Sequence, residues 1–252
     1  LTTSLIDHEH GRNNDFEIVA NHDDFVVISK GVGVDVHRDG TEAGIAEKVA
    51  RALGLQQLYL VHRLDKVTSG LLLLAKSAAS CAQLAELFRN KQVEKFYLAV
   101  SARKPKKKQG WVIGDMQRSR RGSWKLMTSK ENPAVTQFFS QALQPGFRAF
   151  LLKPLTGKTH QLRVALKSIG APICGDVLYD DAELAAQQGR TYLHAYQLSF
   201  LWQGRLCRYS EWPKSGEHFS DKAFEKLKAQ WEDPASLEWP RGTYGHEQHK
   251  AS

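Results

Sequence analysis

Cysteine is scarce in this chain: among 252 residues there are three thiols, Cys81, Cys174 and Cys207. They are far apart, odd in number and form no CxxC pair, which argues against a disulfide framework. Reduced thiols and a cytoplasmic location are the expectation. No stretch approaches the roughly 18 consecutive apolar residues of a membrane span, so no membrane partner is expected. The opening residues are polar and mixed in charge, unlike a secretory signal, and the chain does not begin with Met. P-loop, dinucleotide-type glycine fingerprint and paired His/Cys metal set are all missing, and no cofactor or metal is expected. No internal repeat is present. What remains is 42% hydrophobic and 25% charged, the proportions of an ordinary globular chain long enough for one large domain or two small ones.

Charge is present in excess of one sign. The net charge is +8, which favours polyanionic partners because neutralised phosphates release condensed counterions. Distribution says more than the total. Lys104, Lys106, Lys107 and Lys108 form one cluster, and Arg118, Arg120, Arg121 and Lys125 form another, with Trp111 and Trp124 interleaved. Cations beside aromatics suit phosphate contact plus base stacking. A solvated charged loop is the commoner explanation of any single run.

Alternation and turn signals predict strands at 16–20, 25–29, 58–61, 96–100, 133–143, 147–152 and 192–200. Residues 71–75 are apolar on both faces, as in a strand covered on both sides. Helical spacing predicts helices over 44–53, 80–89, 159–169, 182–188 and 219–231. Between 101 and 132 apolar residues thin out, and loops or a protruding hairpin outside the core are expected there. Strands with interspersed helices but no regular βαβ alternation argue an α+β fold. The expected organisation is a tail at 1–15, one domain over 16–231, and a docked or mobile polar tail over 232–252.

The stretch that carries chemistry is Val61-His62-Arg63-Leu64-Asp65-Lys66-Val67-Thr68-Ser69-Gly70, between two apolar runs. It delivers the Asp65 carboxylate to a turn beside a buried strand. A carboxylate in a partly apolar cleft needs a cation or several donors to stay ionised. Arg163, in Thr156-Gly157-Lys158-Thr159-His160-Gln161-Leu162-Arg163-Val164, is a better partner than Arg63, two residues away. On these residues alone a structural ion pair is favoured over catalysis, and Tyr97 is more simply a half-buried strand aromatic.

The order of several blocks shifts that balance. His62 to Lys76 resembles the HRLD–xx–TSG signature of pseudouridine synthases of the RluA type throughout. Residues 156–164 resemble that family's TGRTHQLRV, with Lys158 in place of Arg. Residues 170–176 resemble GHPIVGD, Leu178-Tyr179 follow in register, and Leu193-His194-Ala195 resemble a late LHA. The similarity covers roughly residues 16–212. It implies the family's fold, a mixed, mostly antiparallel sheet flanked by helices around a catalytic cleft. It implies isomerisation of a specific uridine in structured RNA, ribosomal or transfer, with ribosomal RNA favoured. Nothing enters or leaves in that reaction and no redox occurs, so the resemblance implies no cofactor.

Roles carry over residue by residue. Asp65 matches the essential catalytic Asp. Tyr97 matches the Tyr whose ring stacks on the flipped uracil and whose hydroxyl assists proton removal. Arg163 matches the Arg that pairs with the Asp. Arg63 matches the side chain that enters the RNA stack where the base leaves, while Leu162 and Ile173 match apolar walls of the base pocket. RNA contact is further expected at His62, Lys158, His160, Lys106, Lys107, Arg118, Arg120 and Arg121. Ala165 and Ala171 replace family His residues and Gly31 replaces a Pro, around the site rather than in it. No S4-type module is expected before the first strand, and a monomer is the default. Three rivals remain: a non-catalytic RNA-binding protein on the same fold, a hydrolase pairing Asp65 with Asp176, and metal chemistry at Asp7-His8-Glu9-His10 or His246-Glu247-Gln248-His249. The last run lacks the i,i+4 histidine spacing that zinc requires on a helix.

Overall fold

The computed structural model describes residues 15–37 and 43–241, so the two metal-like runs at 7–10 and 246–249 lie outside the described residues. Strands β1 (Phe16–Asn21) and β2 (Phe25–Lys30) pair antiparallel through a short turn. Helix α1 (Ile45–Ala52) and the two-residue β3 (Tyr59–Leu60) precede the site turn and β4 (Ser69–Ala75). Then come α2 (Ala78–Arg89), capped by the Ser77 side chain, β5 (Glu94–Ser101), β6 (Gln109–Gly114), and the small hairpin β7 (Met116–Arg118) and β8 (Trp124–Leu126). The long hairpin β9 (Ala134–Gln144) and β10 (Phe147–Pro154) leads to α3 (Gln161–Ser168) and α4 (Ala182–Ala186). The described chain closes with β11 (Leu193–Trp202), β12 (Arg205–Ser210), α5 (Glu217–Ser220) and α6 (Lys222–Trp231).

The main sheet runs β1-β2-β4-β11-β5-β10-β9-β6, with β3 on β4 and β12 on β11. Its one parallel pairing among the described residues is β4 with β11, at Ser69–His194 and Gly70–Ala195. The architecture is therefore α+β, with a mixed and mostly antiparallel sheet. All of β4 is buried because both its faces are covered. Leu72 and Leu74 pack with Ile45 and Val49 of α1, while Leu71 and Leu73 pack with Leu84 of α2 and Trp202 of β11. A further core sets Phe96, Phe150 and Leu152 against Leu162 and Leu166 of α3 and Phe224 and Trp231 of α6. Each such side chain contributes about 1.5–3 kcal/mol on burial, which holds α3 rigidly against the sheet.

Several expectations are corrected. Residues 101–132 do hold a hairpin, but β6 is an edge strand of the main sheet paired with β9, and Val112 enters the core. An edge strand needs apolar residues on one face only, so its signal is weak. The expected helix over 219–231 is broken at Asp221, whose extended backbone ends α5 and whose side chain accepts from Ala223 N, capping α6. Strand β12 is not among the expected elements. Past β12, the described tail packs down: Trp239 stacks on Phe96 and tilts over Phe139, and Pro240 O accepts from Trp111 Nε1 and Gln137 Nε2. The Trp111 indole N–H, expected beside an RNA-facing cluster, is thus occupied by the tail.

Candidate active site

The turn that carries Asp65 is fastened from below. Thr68 N donates to Asp65 O at 2.9 Å, and the Lys30 ammonium donates to the carbonyls of Gly31, Val34 and Lys66 at 2.8, 2.9 and 3.3 Å. Lys30 is almost fully buried, and burial, partly opposed by Asp35, brings its pKa down to about 7. Gly70 lets β4 run close to β11: its φ is +104°, and a Cβ there would lie 2.3 Å from Ala195 O. Ala195 is the cross-strand neighbour of Tyr97 on β5, so this approach brings the Asp65 turn towards Tyr97.

Helix α3 delivers the other half. Buried Gln161 holds the preceding loop: its Oε1 accepts from Thr156 Oγ1 and Lys158 N, and its Nε2 donates to Val135 O and Thr136 Oγ1. Two residues on, Arg163 Nη1 donates to Asp65 Oδ2 at 3.2 Å. Its main partner is another acid. Nε and Nη2 donate to the two oxygens of Asp176 at 2.7 and 2.8 Å, a bidentate pair with both side chains buried. Burial opposes the charge on Arg163, but its bonds to Asp176 and the charges of Asp176 and Asp65 outweigh that and hold its pKa above the ordinary value. Asp176 Oδ1 also accepts from Leu178 N at 3.1 Å. An acid so occupied does not face a substrate, which removes the basis for the two-carboxylate hydrolase.

A cleft of about 1140 Å³ opens over this assembly, lined by Asp65, Tyr97, Arg63, His160, Leu162 and Arg163, among others. Tyr97 is half-buried, and burial followed by the Asp65 charge pushes its phenol well above the ordinary tyrosine range. It stays protonated across ordinary pH. Arg63 is exposed at the cleft, and Lys158 lines it while donating to Asn132 Oδ1 at 2.8 Å. Among the described residues no group of three His, Cys, Asp or Glu is disposed to hold a metal.

The expected site residues thus separate. Asp65, Arg163, Tyr97, Arg63, Lys158, His160 and Leu162 share the cleft. Ile173 does not: it is fully buried in the core that packs α3 and lines no part of the cleft wall. His62 borders the cleft, but its Nε2 accepts from Leu73 N at 3.0 Å and its ring stacks on Phe88. Burial and then Lys95 lower its pKa to about 3, so it is a neutral fold-holding ring rather than a cation for RNA. Lys106 and Lys107 are exposed outside the cleft, as are Arg118, Arg120 and Arg121 on the β7–β8 hairpin and its loop. Sequence reasoning named Asp176 only as a rival hydrolase acid or a turn residue and Tyr179 only as a motif position, not as partners of Arg163 and His160, and it missed the rim cations Arg89, Lys91 and Lys95.

Residues 24–168 match the model of the RNA pseudouridylate synthase family. An uncharacterised RNA pseudouridine synthase of Haemophilus influenzae is 48% identical over 85% of this chain and 95% of its own length. Ribosomal large subunit pseudouridine synthase C of Rickettsia bellii is 34% identical over 71% of this chain, which spans 61% of that longer protein. Among solved structures, human RNA pseudouridylate synthase domain containing 1 superposes with a TM-score of 0.70 at 23% identity, covering 92% of this chain and all of that one. The corresponding human domain-containing 4 protein gives 0.66 at 26% identity, over 84% of this chain and 92% of its own.

Proposed function

This chain belongs to the RNA pseudouridylate synthase family and is an RNA pseudouridine synthase, and we propose that Asp65 drives its reaction on a uridine flipped out of structured RNA. The observation that carries this reading is the division of the Asp65 carboxylate. Oδ2 is held by Arg163, while Oδ1 has no hydrogen-bond partner among the described residues, and Asp65 lines the cleft. A carboxylate anchored through one oxygen suits attack on the sugar or the base, or removal of a sugar proton.

In the reaction the N1–C1′ bond breaks, the uracil turns, and C5 bonds C1′; N1 gains a proton and C5 releases one. A stacked base must first leave its helix, at a cost of a few kcal/mol. Exposed Arg63 is placed to fill the vacated stack, and Tyr97 and Leu162 form an apolar wall that retains the detached uracil. The protonated Tyr97 phenol suits stacking and hydrogen-bond donation better than accepting a proton. The substrate is taken to be ribosomal RNA, in line with the name of the Rickettsia bellii relative, with transfer RNA as the second class. The enzyme is taken to act as a cytoplasmic monomer through its domain over 16–231.

The test is tritium release from ribosomal and transfer RNA transcripts labelled at uridine C5. Release by the natural protein and none by Asp65→Asn is expected, and the responding transcript names the RNA class. Equal release by the variant removes Asp65 from its role. Binding without release by the folded natural protein on every transcript would favour a retired, RNA-binding form of the fold.

A further inference from the structure

Tyr179 and Trp124 stand outside the cleft wall, yet a chain of contacts runs through them to Asp65. Trp124 in β8 donates its backbone N–H to the Tyr179 hydroxyl at 2.9 Å. That oxygen lies 2.8 Å from His160 Nδ1. On the far side of the ring, His160 Nε2 lies 3.9 Å from Asp65 Oδ2, the same oxygen that Arg163 contacts. The Arg163 guanidinium sits over the Tyr179 ring, 4.9 Å from its centroid.

One arrangement of protons satisfies every member. The Tyr179 hydroxyl accepts from Trp124, and its own proton has one acceptor in reach among the described residues, His160 Nδ1. A ring that accepts at Nδ1 carries its proton on Nε2, facing the carboxylate. The opposite tautomer would strand the hydroxyl proton and turn an Nε2 lone pair towards the Asp65 charge. Burial, which outweighs the opposing pull of Asp65, lowers the His160 pKa and favours the neutral ring this scheme needs. The 3.9 Å separation is longer than a hydrogen bond, but such contacts at catalytic sites tighten in the substrate complex.

We propose that His160 is a positioning residue for Asp65, held as its Nε2–H tautomer by Tyr179 and, through Tyr179, by the backbone of the basic hairpin. With Arg163 it restrains Oδ2 and leaves Oδ1 to meet the substrate. This rests on Asp65 being the reacting acid. Because the first link is an amide of the hairpin that displays Arg118, Arg120 and Arg121, docking of that hairpin on RNA and the orientation of Asp65 share one chain of contacts.

Two variants separate this role from a structural one. His160 has φ +55°, a backbone region that Asn tolerates better than Gln. A structural role therefore ranks His160→Asn above His160→Gln in both stability and turnover. The positioning role reverses the turnover order, because a Gln amide reaches the place of Nε2–H and an Asn amide only that of Nδ1. Gln is expected to keep kcat within about 10-fold and Asn to lose about 100-fold, the scale of a 1 Å misplacement, with KM for RNA unchanged in both. Asn matching or exceeding Gln in kcat overturns the proposal. Two readouts need no substrate: ring 15N spectra at neutral pH, expected to show protonated Nε2 and bare Nδ1, and the Asp65 carboxyl 13C resonance, expected to move in Tyr179→Phe. A proton on Nδ1, or an unmoved Asp65 resonance, also overturns it. Tritium release that persists in Asp65→Asn sinks the reading of Asp65 instead, and leaves the ring spectrum to stand by itself.

Discussion

Asp176→Asn is the substitution that tests the site's construction most directly. The side chain keeps its shape and loses its charge. Arg163 and Asp176 are 6% and 1% exposed, so the guanidinium loses its principal counter-charge where water cannot replace it. Removing one partner of a buried pair costs about 3–5 kcal/mol. Asn retains an acceptor for one of the two donors, worth about 1 kcal/mol, and Asp65 remains nearby. The expected loss is about 2–4 kcal/mol, or a fall of about 4–16 °C in Tm for a chain of this size. Asp65→Asn is the control. Its side chain is 19% exposed and makes a single hydrogen bond, to Arg163 at 3.2 Å, so it should cost about 1 kcal/mol or less while abolishing tritium release.

Urea denaturation followed by circular dichroism, at constant m, measures both. Tritium release at a temperature where Asp176→Asn is fully folded should still be low, because Arg163 is then free to turn both its outer nitrogens on Asp65. Equal stability losses in the two variants, or a greater loss in Asp65→Asn, would refute the assignment of Asp176 as the partner that holds Arg163.

Three further outcomes are expected. Gly70→Ala should destabilise by about 2 kcal/mol or more, seen by denaturation or loss of soluble protein, because a Cβ would sit 2.3 Å from Ala195 O at φ +104°. Joint replacement of Arg118, Arg120 and Arg121 by Ala should leave folding unchanged, since all three are exposed. It should weaken binding to all RNAs alike and flatten the slope of log affinity against log salt by about 0.7 for each phosphate that the variant no longer neutralises. His62 and His194 have folded pKa values lowered by burial to about 3, so between there and their unfolded values the unfolded chain binds more protons. Their stabilisation is full above about pH 6.5 and is lost as pH falls towards 3, by up to about 1.4 kcal/mol per pH unit for each, which denaturation at pH 5 and 7 measures.

The grouping of Asp65, Tyr97 and Arg163 at one cleft was legible because each lies in a local block whose residue order is distinctive. The α+β class and the doubly covered strand at 71–75 followed from apolar patterns of the right length. What stayed hidden depends on contacts between distant segments. Gly175-Asp176 reads as a turn, and nothing local says that both carboxylate oxygens meet an arginine thirteen residues earlier. Ile173 sits in a motif block, but the chain after α3 turns it into the core behind the cleft. Strand β12 carries only a short apolar alternation, Cys207 and Tyr209 around exposed Arg208, and most of its side chains are exposed. Its signal was the Gln203-Gly204 turn, where both φ values are positive, 49° and 77°, as in a tight hairpin. The Trp111 cluster misled for a related reason: an aromatic among cations reads as a stacking surface, yet its N–H holds the tail at Pro240.

Two carboxylates around one arginine need not be redundant. A guanidinium and a carboxylate left alone settle into a bidentate pair, which occupies both oxygens of the acid. At Arg163 that geometry is taken by Asp176, which uses Nε and Nη2. Only Nη1 is left for Asp65, and it reaches one oxygen at 3.2 Å. Asp65 thus keeps a nearby positive charge while its second oxygen stays outside the pair. On this view Asp176 serves the chemistry from a place the substrate never reaches, by engaging the side of Arg163 that would otherwise close on Asp65. The same logic explains why the pair is buried while Asp65 is not: the strong interaction is shielded from water, and the weak one is left where an RNA base can compete for it.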